Sequence, residues 1–273
     1  MERGAFMEYK VHPKENLYFT IKLIVSLLVY SAIILSISSL SRIEAVTFSV
    51  FIVYGLMFVL YIAFTHGMLI GYLKGNAIRI NENQFPELYA IAKEEAEKLK
   101  LAKMPAIYIL QSGGMLNAFA TRFYGKDFVV IYSDVLELAF EKGNQTVHFI
   151  MGHELGHIKR KHMTKNLLLF PGVLVPFLGP AYSRACEFTC DRIGNALSPE
   201  GAVSGLLVLA AGKYLHNKVN VEEYISSADR ESGFWKWFSE MVSSHPNLPK
   251  RIAEINRSKD SQYSAEVQTS IQG

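Results

Sequence analysis

The sequence predicts an α+β fold: a mainly helical domain with a small β-sheet, preceded by a two-helix transmembrane hairpin. Three features lead there. Two long uncharged runs lie near the N-terminus, a charged amphipathic segment follows them, and two short β-rich stretches precede a long helical pattern. The chain has 273 residues, of which 50% are hydrophobic and 19% charged. That is too apolar for an ordinary soluble domain and too charged for an all-membrane bundle. A formal net charge of +3, with no basic cluster interleaved with aromatics, implies no nucleic-acid partner. Two cysteines, Cys186 and Cys190, cannot make a disulfide scaffold. They read as small apolar packing groups on a helix.

The elements follow in chain order. Leu23 to Ser41 and Ala45 to Leu73 contain no charged residue. Each run is long enough to cross a hydrocarbon core, which takes about 20 residues. The expected spans are about 19–41 and 46–73, within a segment 1–75. Only "SRIE" separates the runs, so they predict a tight hairpin. The first run exceeds a signal-peptide core, and no small-residue cleavage site follows it. Arg3, Lys10, Lys14 and Lys22 precede the first run, and Lys74 and Arg79 follow the second. The positive-inside bias puts both ends in the cytoplasm. His66 lies within the second run. It reads either as an intramembrane functional group or as a neutral imidazole bonded to the neighbouring helix.

Residues 76–273 form the expected second domain. Its first helix starts near Pro86, with Glu87, Glu94, Glu95 and Glu97 among lysines on its wet faces. Ala106–Leu110 and Asp127–Ser133 are rich in branched and aromatic residues and read as strands. From Asp134 to about Arg257 the pattern is mostly helical, and the polar tail beyond it reads as frayed.

Chemistry concentrates in "HELGH". His153 and His157, four apart on a helix, project from one face, as two ligands of a tetrahedral Zn²⁺ do, and Glu154 is placed to act on a water there. A third ligand is expected among Glu187 and Asp191, also four apart, with apolar neighbours that imply burial. Buried carboxylates need a cation. One can bind the metal while the other orients a ligand histidine. Ligation by Cys186 and Cys190 is the competing arrangement.

Four motifs together resemble the HtpX-like membrane zinc metalloproteases, relatives of the CAAX prenyl proteases. They are "HELGH" at 153–157, "EFTCD" within 187–191, "NAFAT" at 117–121 and "HPNLPKR" at 245–251. The resemblance covers residues 76–257 and implies a zincin-type metalloprotease domain. It implies one zinc ion held by His153, His157 and Glu187, with Glu154 as catalytic acid/base and Asp191 behind a ligand. It also implies that His245 and Arg251 face the active site, and that Asn117, Ala118, Phe119 and Ala120 form an edge strand that pairs with substrate. The implied activity is a zinc endopeptidase in the cell membrane, multi-pass, with a cytoplasmic catalytic domain acting on membrane or misfolded proteins. Polypeptide substrates and the bilayer are the expected partners, and a homo-oligomer is compatible with the sequence. The intact Glu154 speaks against a zinc-binding membrane module that merely holds partner chains. Two spans are too few for the chamber of a CAAX-type prenyl protease.

One further run, Asn166–Ser183, is uncharged. If His153 and Glu187 share one metal, both flanks of this run lie on one side of the membrane. Two crossings need about 40 residues, and Pro171, Pro176 and Pro180 oppose a continuous helix. Residues 166–183 are therefore expected to be an apolar loop that dips into the near leaflet, packs on the hairpin, or is buried in the catalytic core.

Overall fold

The computed structural model describes residues 9–38, 42–111, 113, 117–141 and 143–257. The polar tail at 258–273 and the connection at 39–41 lie outside the described residues. Two long helices come first: α1 (Pro13–Ser38) and α2 (Arg42–Asn76). Both are long and apolar enough to cross a membrane. From Val46 to Thr65, every described side chain of α2 is exposed except the half-buried Phe48. That is about 30 Å at 1.5 Å per residue, the thickness of a hydrocarbon core.

Beyond that length α2 changes role. Ile70 and Leu73 are buried against Tyr108, Phe128 and Val130 of the sheet. His66 is not bonded to the neighbouring helix: its Nε2 lies 3.0 Å from Thr121 Oγ1 in the sheet, and its ring stacks on Phe123. The reason is that the last turns of α2 end on the sheet.

The sheet has four strands in the order β1-β2-β4-β3, namely β1 (Ile78–Arg79), β2 (Ala106–Leu110), β3 (Ala118–Phe123) and β4 (Lys126–Tyr132). Only the β2–β4 pair is parallel. Residues alternate between faces. Ile107, Ile109, Val129 and Ile131 enter the main core, while Tyr108, Phe128 and Val130 face α2. Among the described residues β3 pairs only with β4, so its other side is an open edge.

The helices of the second domain are α3 (Pro86–Lys98), α4 (Ser133–Glu141), α5 (Asn144–Lys159), α6 (His162–Leu168), α7 (Leu178–Leu197), α8 (Gly201–Leu215), α9 (Val221–Arg230) and α10 (Phe234–Val242). Residues 248–257 are also helical. α3 lies on α5, and Glu95 is correspondingly not on a wet face. It is fully buried, bonded to His148 of α5 and to Lys98, because the helix turns that carboxylate toward the core.

Residues 166–183 are not a plain loop. α6 ends at Leu168, a 3₁₀ turn covers Phe170–Leu174, and α7 begins at Leu178. Proline sets these breaks: Pro171 opens the 3₁₀ turn, and Pro180 sits in the first turn of α7, where no N–H donor is needed. The turn packs on α1. Lys22 Nζ donates to Asn166 Oδ1 at 2.9 Å, and Tyr30 Oη donates to the Leu168 carbonyl at 2.9 Å. Leu167, Leu168, Phe170, Val173, Leu174 and Phe177 nonetheless remain exposed.

α5 and α7 form the centre, and glycine sets their spacing. A Cβ on Gly194 of α7 would lie 2.9 Å from the Phe149 carbonyl oxygen of α5. A Cβ on Gly152 would lie 3.4 Å from the Gly194 Cα. The two backbones therefore touch where the histidine and carboxylate motifs face each other. Gly194→Ala is expected to cost about 1–3 kcal/mol through forced separation, read as a fall of several degrees in Tm. An unchanged Tm would contradict the close approach.

Candidate active site

His153 and His157 sit one turn apart on α5, and Glu187 and Asp191 one turn apart on α7. Their donor atoms converge. His153 Nε2 lies 3.3 Å from His157 Nε2 and 3.4 Å from Glu187 Oε2, and His157 Nε2 lies 3.3 Å from Glu187 Oε1. A tetrahedral zinc ion with bonds of about 2.0–2.1 Å spaces its donors about 3.3–3.4 Å apart. The two imidazole nitrogens thus have the spacing of two corners of a zinc tetrahedron, and Glu187 meets each of them with a different oxygen.

Charge agrees with geometry. Glu154, Glu187 and Asp191 are buried, and Arg251 is the buried cation that meets them. Three carboxylates against one guanidinium leave room for two positive charges, which a divalent ion supplies. Protons are the alternative source, and the titration of the site follows. Burial opposes charge on His153, but Asp191 and Glu187 outweigh it and push the ring up to about 10. Burial also pushes the Glu154 carboxyl up. Burial would raise Glu187 too, yet its bonds to His153 and His157 hold it well below the ordinary value.

Behind these donors stand the orienting groups. His153 Nδ1 faces Asp191 Oδ1 at 3.0 Å, off the ideal hydrogen-bond line. Arg251 grips Asp191 with two bonds, Nε to Oδ2 at 2.8 Å and Nη2 to Oδ1 at 2.6 Å, and its Nη1 lies 3.5 Å from Glu187 Oε2. That guanidinium overcomes burial and holds Asp191 below the usual carboxylate range. Arg251 is therefore engaged with the carboxylates. His245 is different: its side chain is 62% exposed at the lip, with Nε2 3.7 Å from Glu187 Oε1.

A cleft of about 420 Å³ opens over the triangle. Asn117, Ala118, Phe119 and Ala120 line one wall, and His245 and Arg251 line it with His153, Glu154, His157 and Glu187. The structure thus brings every site residue expected from sequence to one cleft, except Asp191, which lies just behind it. The β3–β4 register decides which main-chain groups of the wall are free. Tyr132 N–H donates to the Asn117 carbonyl, so the pairs alternate and Ala118 and Ala120 turn their main-chain groups away from β4. The Ala118 N–H is met only locally, by Asn117 Oδ1 at 2.9 Å.

Sulfur also lies near the histidines. The donor atoms of His157, His162 and Cys190 converge, as do those of Glu15, His162 and Cys186, and Cys190 Sγ lies 3.8 Å from His162 Nδ1. Burial pushes both thiols up.

The profile of peptidase family M48 matches residues 82–178 and 168–259. The chain belongs to peptidase family M48. M48 peptidases are metalloproteases, in keeping with the donor triangle. Among curated proteins, "Protease HtpX homolog" of Campylobacter hominis is 23% identical over 230 residues, covering 68% of this chain and 80% of that protein. Among solved structures, the crystal structure of S. mikatae Ste24p aligns at 12% identity with a TM-score of 0.47, over 74% of this chain. This chain spans 56% of that one.

Two further residues at this M48 site escaped sequence reasoning. His162 Nδ1 lies 3.1 Å from His157 Nδ1, and Glu15 Oε1 lies 3.3 Å from His162 Nε2. Burial outweighs the pull of Glu15 and holds His162 down to about 4, so its ring is neutral at physiological pH. The sequence signal is faint: a histidine five residues after His157, and one of three acids before the first apolar run.

Proposed function

We propose that this M48 protein is a membrane-anchored zinc endopeptidase that cuts extended segments of membrane or misfolded proteins at the cytoplasmic face. One observation carries the reading. A donor triangle with zinc spacing lies beside Glu154, in a cleft walled by an open strand edge.

His153, His157 and Glu187 would hold the ion. Zinc supplies Lewis-acid polarisation of the peptide carbonyl and makes water acidic at neutral pH. Glu154 then accepts a proton from the attacking water and delivers it to the leaving amine. Its burial suits this role, because a raised carboxyl is a better base. His245, exposed at the lip, is positioned to donate to the developing oxyanion. Arg251 holds Asp191 and Glu187 in place and so acts through them. The substrate adds as a strand to the free main-chain groups of Ala118 and Ala120, displacing the Asn117 amide. Main-chain pairing gives affinity with little sequence selectivity.

The bilayer is proposed to embed α2 from Val46 to Thr65 together with the exposed face of α1. The end of α6 lies beside Tyr30, eight residues past Lys22 on α1, or about 12 Å along it, while Gly172 of the 3₁₀ turn sits against Lys22. Lys22 is the last charge before the uncharged run. Leu167, Phe170 and Leu174 would then enter the near leaflet. α10 continues this apolar surface: Phe234, Trp235 and Trp237 are exposed, and Phe238 meets Phe177 at 6.3 Å. Aromatic residues of this kind favour the membrane–water boundary. The cleft, which reaches Asn166, would open close to the membrane surface.

Glu154→Gln is expected to keep zinc and lose cleavage of a casein or membrane-protein substrate by about 10²–10⁴-fold. Cleavage near the wild-type rate, with zinc content equal in both, would remove Glu154 from the proton transfer.

Orientation has its own check. Cys186 and Cys190 are buried and Lys103 is exposed, so Lys103→Cys supplies an accessible thiol. An impermeant maleimide is expected to label it only after the cells are permeabilised. Labelling in intact cells would overturn the cytoplasmic assignment.

A further inference from the structure

We infer that Glu15 and His162 form a positioning pair for His157, which makes the start of the first apolar helix a working part of the metal site. This rests on the reading that His157 is a metal ligand.

The local backbone puts His162 in reach. α5 ends at Lys159, and Lys161 adopts a left-handed conformation with φ of 55° before α6 begins. On an uninterrupted helix a residue five positions on would point about 140° away from His157. The break at Lys161 instead returns the His162 ring to its neighbour. The ring is buried at 2% exposure.

Glu15 reaches the same point from the far end of the chain. It is 1% exposed at the start of α1. Arg160 Nη2 donates to its Oε1 at 2.8 Å and Nε at 3.2 Å, and Lys165 Nζ lies 3.9 Å away. The preceding residues strap across α7 and fix this position. His12 N–H donates to Thr189 Oγ1 at 3.1 Å, the His12 ring stacks on Phe188, and Arg192 donates to the Lys10 carbonyl.

The proton positions follow in one direction. His157 turns its Nε2 toward His153 and Glu187, so Nε2 must carry a lone pair for the metal. Its proton then sits on Nδ1 and is donated to His162 Nδ1. His162 must carry its own proton on Nε2, which donates to Glu15 Oε1. His153 is oriented directly by the carboxylate of Asp191, whereas His157 is oriented by the carboxylate of Glu15 through an intervening imidazole. Such partners fix the tautomer and ring orientation of a ligand histidine.

A metal bound by Glu15, His162 and Cys186, or by His157, His162 and Cys190, is a rival use of the same atoms, since both sets of donors converge; the second would take the Nδ1 of His157 and add sulfur to its surroundings. Arg160 and Lys165 argue against the first, because they already supply positive charge to Glu15.

The test is metal affinity, measured by chelator competition on the full-length protein, with the visible spectrum of the cobalt-substituted form as the second readout. His162→Phe keeps ring volume and leaves the Glu15–Arg160 pair intact. It is expected to weaken metal binding about 10–100-fold and to alter the cobalt spectrum. His162→Gln, whose amide offers an acceptor and a donor, is expected to recover most of the loss. Should His162→Phe fail to fold, Glu15→Gln carries the same test, with weakened affinity expected at wild-type metal stoichiometry. Wild-type affinity and spectrum in a folded His162→Phe, or in Glu15→Gln if that variant is used, would overturn the positioning role alone. A wild-type protein that binds no metal would overturn the metal site itself and this inference with it.

Discussion

The contact on which the rest depends is the glycine-faced approach of α5 and α7. Gly152 and Gly194 let the two backbones touch, so two histidines and two carboxylates from segments 34 residues apart in sequence meet within a few ångströms. Close packing alone would be unfavourable there, because it buries three carboxylates beside one guanidinium. A divalent ion resolves that imbalance and needs the donor spacing that the helix pair enforces. Packing and chemistry are thus one constraint: whatever moves the helices apart also opens the triangle.

The two apolar helices contribute in different ways. α2 presents a bare cylinder of membrane length and then seats its last turns on the outer face of the sheet through Ile70 and Leu73. The opposite face of that sheet joins the core around α5, so among the described residues α2 meets the site's surroundings through β2 and β3. α1 reaches it directly. Its first turn carries Glu15 to His162 beside the end of α5, and Lys22 and Tyr30 bond Asn166 and Leu168 of α6. The proposed anchor therefore packs on the M48 domain at two places, α2 on the sheet and α1 on α7 and the 3₁₀ turn.

The convergence of the site's side chains was legible because their spacing is helical. His153 with His157 and Glu187 with Asp191 follow the i, i+4 rule, which fixes a common face from sequence alone. The fold class was legible from uncharged length and strand composition for the same reason. What was hidden depends on long-range approach or on broken regularity. Glu95 sits in a charged stretch, yet packing against α5 turns it inward toward His148. Glu15 and His162 are 147 positions apart, and the turn at Lys161 that makes them neighbours leaves no periodic trace. β1 has only two residues, too few to form a pattern.

The central claim is that two imidazoles and a carboxylate, without sulfur, hold the metal of this M48 protein. X-ray absorption at the zinc edge of the purified full-length protein measures that most directly. The expected first shell contains only nitrogen and oxygen at about 2.0–2.1 Å, with the outer-ring scattering of two imidazoles. A sulfur shell at about 2.3 Å would contradict it, moving the ion to Cys186 or Cys190 and breaking the link between helix spacing and metal binding.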